Sequence, residues 1–202
     1  MDAIILLAIL AVVFGTAADV SYFRELRKPN HPIPNRWSWL IWTFSSCVEV
    51  VTFHWVSGDW VKTLPLATTP IACLIILIYV WRLGEDKWEN RSEAITDILS
   101  VAVSILAVII WLCFREQYWA HAIAILAIPI SYVPYWRNLP KETYLISTPW
   151  ILWTIMDFLN LTLIIHRLDN WMELPYVFAE ILCHASMWFL LSFRHIKHTR
   201  RF

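Results

Sequence analysis

Two short segments of this 202-residue chain set tryptophans, a hydroxyl, carboxyls and an amide at one repeating spacing. Trp39, Trp42, Ser46 and Glu49 in WLIWTFSSCVE, and Trp150, Trp153, Asp157 and Asn160 in WILWTIMDFLN, all stand at positions 1, 4, 8 and 11 of their segments. At 100° per residue those positions fall within about 80° of one another, so each set forms one face of a helix. The chemistry of such a face is binding. Indole rings clamp a flat ring or a sugar face, each aromatic pair adding about 0.5–1.5 kcal/mol beyond area burial. A smaller set lies at i, i+4: Thr69 with Cys73, and Glu180 with His184, each pair on one helical face. Glu180 and His184 can share a proton or bridge to a substrate hydroxyl, so these four read as cavity or proton-coupling groups. Asp19 and Tyr22, with Tyr132 and Tyr135, read as a gate.

The elements that carry these faces follow from composition. With 59% hydrophobic residues, 16% charged, three glycines and a mean hydropathy of +0.55, the chain lies far from the roughly 25% charged content of soluble domains. It reads as an all-α integral membrane protein. An ionised side chain at the centre of a spanning helix costs roughly 2.5–3.5 kcal/mol, so Glu49, Asp157 and Glu180 must face a wet cavity, pair with donors or carry protons. Seven spans of about 20 residues are expected, near 3–23, 37–56, 63–82, 95–114, 119–136, 147–166 and 172–193. The first has no basic stretch before it and reads as a membrane helix, not a cleavable signal. The loop 83–94 is the longest connection, and Asp97 just after it reads as a charge at a helix start. Cys47, Cys73, Cys113 and Cys183 all fall in apolar spans and read as small buried hydrophobes. No metal-ligand spacing and no catalytic grouping is present, so no cofactor, metal or enzyme activity is expected, and a net charge of zero offers no nucleic-acid surface.

Lys and Arg segregate. Arg24, Arg27, Lys28, Arg36, Arg82, Lys87, Arg91, Arg137, Lys141 and the tail from Arg194 fall on one side, against Lys62, Arg115 and Arg167 on the other. The positive-inside rule then puts the N-terminus outside and the C-terminus in the cytoplasm, in a plasma or inner membrane. The chain also repeats itself. Tyr22 to Leu26 matches Tyr135 to Leu139, Trp39 to Thr43 matches Trp150 to Thr154, Asp59-Trp60 matches Asn170-Trp171, and Leu64-Pro65 matches Leu174-Pro175, at offsets of 110 to 113. One domain is expected: a three-helix repeat in 1–82, a loop and linker helix in 83–118, a second repeat in 119–193 and a tail in 194–202. Advancing by four spans restores the original direction, so the two three-helix bundles are parallel repeats in a 3+1+3 layout.

That layout resembles the SWEET, PQ-loop and PnuC-like transporter superfamily. The turn Tyr132-Val133-Pro134-Tyr135-Trp136-Arg137-Asn138-Leu139 resembles a PQ-loop turn, with Tyr135 in place of the glutamine. The resemblance implies a transporter or facilitator that carries a small polar solute, vitamin-like, nucleoside-like or a sugar, by alternating access around a site between the bundles. A small molecule and the lipid bilayer are the expected partners, and homo-oligomerisation is left open. Leu26-Arg27-Lys28-Pro29, Pro32, Pro34 and Trp37 resemble the first loop of tryptophan-rich sensory proteins, which makes such a protein one alternative; a seven-helix sensor or receptor that binds ligand in the cavity without translocating it is another, since transporter folds are reused this way. A ceramidase-type intramembrane hydrolase ranks lower, because its zinc site uses an HxxxH pair and no span here has one.

Overall fold

The computed structural model describes residues 3–28, 36–83, 91–138 and 147–199, and every regular element among them is a helix. These are α1 (Ala3–Leu26), α2 (Arg36–Ser57), α3 (Trp60–Leu83), α4 (Arg91–Phe114), α5 (Gln117–Asn138), α6 (Thr148–His166) and α7 (Glu173–Thr199). Five of them, α1, α3, α4, α6 and α7, are long and apolar enough to cross a membrane. α2 and α5 fall short of that measure, against the expectation of seven such spans. α2 turns Ser45, Ser46, Glu49 and Thr52 inward, and interior polarity lowers its average hydropathy without placing a polar group in lipid, whereas in α5 the apolar stretch found among the described residues, Gln117–Val133, is shorter.

Several helices are inverted relative to those of a soluble protein. On α2 the serines, Glu49 and Thr52 are buried while Leu40, Phe44 and Val51 are exposed. Lipid offers no hydrogen bonds, so polar side chains point into the bundle and apolar ones outward. Exposed Ile, Leu, Phe and Trp cover the outer faces of the molecule, far more apolar surface than a soluble monomer presents. Such a surface suits a membrane-embedded protein.

The inner face of α1 is made small. Ala8, Ala11, Gly15 and Ala18 are buried in sequence along it, which lets α1 lie close against α6 and α3. At Gly15 a Cβ would stand 2.6 Å from Met156 Sδ, so a side chain there collides with α6.

The neighbour pattern has an internal symmetry. α3 packs against both α1 and α2, and α7 against both α5 and α6, whereas among the described residues the backbones of α1 and α2, and those of α5 and α6, do not come close and meet only through side chains. Across the centre, α1 meets α6 and α2 meets α5. α4 packs outside, against α5 and α2, and hydrogen-bonds α2 through Ser104 and Ser45 at 2.8 Å. Asp97, read as a charge at a helix start, lies six residues into α4, is 2% exposed and shares a buried stripe of that helix with Thr96, Ser100 and Ser104. Cys73 and Cys183 are buried, but Cys47 and Cys113 are exposed, because they fall on the outward, apolar faces of their helices.

Ring contacts sort the helix ends. Phe23 against Tyr79 and Trp37 against Trp81 gather the ends of α1 and α3 with the start of α2, and Arg36 lies over Trp81. At the other end Trp55 of α2 stacks on Trp111 of α4 with centroids 4.0 Å apart. α2 stops there at Gly58, whose φ of +61° suits glycine and whose N–H donates to the His54 carbonyl at 2.8 Å.

Candidate functional site

A cavity of about 90 Å³ lies inside the bundle, room for several waters or a small solute. Six helices line it, three from each half of the chain, and α4 contributes nothing to its wall. Of the eight residues read as binding groups, Trp39, Trp42, Ser46, Glu49, Trp153, Asp157 and Asn160 line the cavity, as do Thr69, Cys73, Glu180 and His184 of the smaller set. Trp150 does not. It is 5% exposed and packs behind the wall, edge-on to Trp153 at 5.1 Å. The first tryptophan of the second segment thus serves as a support, while its counterpart Trp39 reaches the cavity.

Of the gate residues, Asp19 and Tyr132 line the cavity, Tyr22 does not but packs against the lining residues Trp39 and Trp153, and the side chain of Tyr135 lies outside the described residues. Tyr22 and Tyr132 belong to a larger device. Tyr22 touches Trp39, Trp39 touches Trp42, Trp42 stacks on Tyr132, Tyr132 meets Trp150, Trp150 meets Trp153, and Trp153 returns to Tyr22. Centroid separations run from 5.1 to 6.0 Å around this closed collar of six rings. Its rings fall into three pairs near the repeat offset, Tyr22 with Tyr132, Trp39 with Trp150 and Trp42 with Trp153, at 110 or 111, whereas the sequence match sets Tyr22 against Tyr135. All six rings sit near the end of the bundle where α2 and α6 begin.

Beneath the collar the wall is acidic. Asp19 of α1, Glu49 of α2, Asp157 of α6 and Glu180 of α7 bring four carboxyl groups to one cavity, and among the described residues no Lys or Arg lines it. Trp153 Nε1 donates to Asp19 Oδ1 at 3.0 Å, which ties the collar to this layer. His184 Nδ1 lies 2.7 Å from Asp157 Oδ2, hydrogen-bonding distance, and 3.7 Å from Glu180 Oε2. His184 also stacks on Trp153 at 5.4 Å. The Asn160 Oδ1 and Trp39 Nε1 atoms are buried and have no hydrogen-bond partner among the described residues. Tyr176 lines the same wall and was not singled out in the sequence. Its signal was present, since 176, 180 and 184 continue one i, i+4 row.

The far end of the bundle holds a cluster of ion pairs. Lys62 at the start of α3 is 0% exposed, and its Nζ stands 2.8 Å from both carboxylate oxygens of Glu173 and 2.8 Å from the Arg167 carbonyl. Arg167 Nε donates in turn to Asp59 Oδ2 at 2.6 Å. Burial works to raise the Asp59 pKa, but the Val61 amide and Arg167 that its carboxylate accepts from outweigh it and hold the value below the ordinary 3.8. Lys62 and Glu173 stand 111 positions apart, the repeat offset. Two equivalent positions therefore meet each other, one basic and one acidic. Asp59 and Asn170, again equivalent, each accept the N–H two residues on, from Val61 and from Met172. The sequence count had placed Lys62 and Arg167 on the sparse side without assigning them partners.

Among the described residues, no group of three or more His, Cys, Asp or Glu side chains is placed to hold a metal ion. The fold and site define a class: an all-helical protein suited to a membrane, built around a central acidic cavity beneath an aromatic collar. Compared with protein-family models, curated proteins and solved structures, the chain matches none.

Proposed function

We propose that this protein is a membrane transporter for a small polar solute, working by alternating access between two three-helix bundles, α1–α3 and α5–α7, with α4 as the linker and seven spans in all. The observation that carries the reading is the cavity itself, walled by three helices from each half with ionisable groups held where a membrane protein can least easily keep them. The 3+1+3 layout is supported by the matched neighbour pattern, α3 between α1 and α2 and α7 between α5 and α6. It is supported further by the collar, whose rings pair near the repeat offset. In this reading the collar gates one end of the cavity, and the Lys62–Glu173 pair gates the other. The excess of Lys and Arg at the collar end makes that end cytoplasmic and puts the N-terminus outside.

The test is uptake into proteoliposomes of a panel of labelled sugars, nucleosides, vitamins and amines. Trp153→Ala, which removes a collar ring and the bond to Asp19, and Asn160→Ala are each expected to reduce uptake at least tenfold while the protein still elutes as a folded species. Full uptake by both variants would overturn the site. Binding without flux by the wild-type protein would select instead a sensor that binds without translocating.

A further inference from the structure

The character of the cavity narrows what it holds. Four carboxyls drawn from four helices face it, and among the described residues the only basic side chain in the wall is His184, already hydrogen-bonded to Asp157. The buried Lys62 is paired with Glu173 at the far end. The rings above the carboxyls turn electron-rich surfaces to the same space: Trp39, Trp42, Tyr132 and Trp153 all line it. Ring faces attract cations, and quaternary ammonium groups are recognised by cages of this kind. An independent sign comes from Asn160, 3% exposed, whose Oδ1 is an acceptor with no hydrogen-bond partner among the described residues. It calls for a donor.

We infer that the cavity binds a small organic cation bearing an N–H or O–H donor, the charge seated between the collar rings and the carboxyls of Glu49 and Glu180 and the donor on Asn160 Oδ1. The inference rests on the reading of this cavity as a solute site and names the solute class. An anion meets four acids there and, among the described residues, no compensating Lys or Arg, and a neutral solute leaves the acidic wall uncompensated.

Pairs of compounds that differ only in charge test it without any mutation. Choline against 3,3-dimethylbutan-1-ol, and ethanolamine against propan-1-ol, are titrated into purified full-length protein by calorimetry, with uptake of the same compounds measured in proteoliposomes. At least one cation should bind ten times more tightly than its uncharged counterpart, and Glu49→Gln or Glu180→Gln should weaken that binding tenfold or more. Equal binding of the charged and uncharged partners, or no binding of either cation, overturns the inference. The two readings fail separately. Cation binding without uptake removes transport and leaves the solute class standing, whereas uptake of a sugar or nucleoside without cation binding does the reverse.

Discussion

At the scale of single residues, a membrane interior turns each polar side chain into a question of partners. His184 and Asp157 satisfy each other at 2.7 Å, and Trp153 uses its only donor on Asp19. Hydroxyls on the α2 and α6 segments are satisfied locally: Thr43 donates to the Trp39 carbonyl and Thr154 to the Trp150 carbonyl, the same bond at equivalent repeat positions. At the ionic end, Asp59 carries a pH dependence with a definite sign. Because its folded-state pKa lies below 3.8, its stabilising contribution is complete above that value and is lost as pH falls through the lower folded value. Arg167 is 37% exposed, so solvent screening keeps the contribution to about 1 kcal/mol or less. Asp59→Asn should therefore lower the melting temperature slightly at pH 7, and the gap from wild type should close as pH falls through the lowered folded value and the carboxylate protonates. A gap that stays constant through that fall would mean the loss came from packing.

Helices in this protein are told apart by what their inner faces permit. α1 offers alanines and one glycine, and the consequence is a close approach to α6 with Met156 set against Gly15. Gly15→Ala asks only the flexible end of Met156 to move, so a small loss is expected. Gly15→Leu wedges α1 from α6 and should cost about 1–3 kcal/mol, the range for overpacking. Because Met156 also lines the cavity, the leucine variant should weaken ligand binding as well as lower the melting temperature in detergent. Loss of neither would show that α1 and α6 are not held at this contact. α4 is the contrasting case, joined through the Ser45–Ser104 bond and a buried polar stripe and absent from the cavity wall.

The whole molecule is organised by the relation between its halves, and one pair tests that relation directly. Lys62 and Glu173 are fully buried, equivalent by the repeat and bonded to each other. Removing one partner of a buried pair leaves an uncompensated charge and typically costs about 3–5 kcal/mol. Lys62→Glu and Glu173→Lys should each be severely destabilising. If the two positions are related by a two-fold axis along the bundle, the double exchange turns the pair around and should recover most of the stability, read as the melting temperature of the purified protein. A double variant no better than either single one would argue that the surroundings of the pair, with the Arg167 carbonyl and Asp169 on one side only, are too unequal for the halves to be exchanged.

By itself the sequence determined that the chain is helical and suited to a membrane, that WLIWTFSSCVE and WILWTIMDFLN each present one polar aromatic face, and that the chain carries matching segments about 111 positions apart. Those properties are local or periodic, and periodicity is written along the chain. Tertiary structure alone decided which faces meet. Helix period fixes the side of α6 on which Trp150 and Trp153 stand, but a displacement of one turn separates a ring in the cavity from a ring behind it, and only packing sets that depth. Lipid is as apolar as the helices, so the choice of neighbour is made by shape and by polar partners from distant sequence: the alanines of α1 against α6, Lys62 against Glu173, and Tyr22 against Trp153 to close the collar.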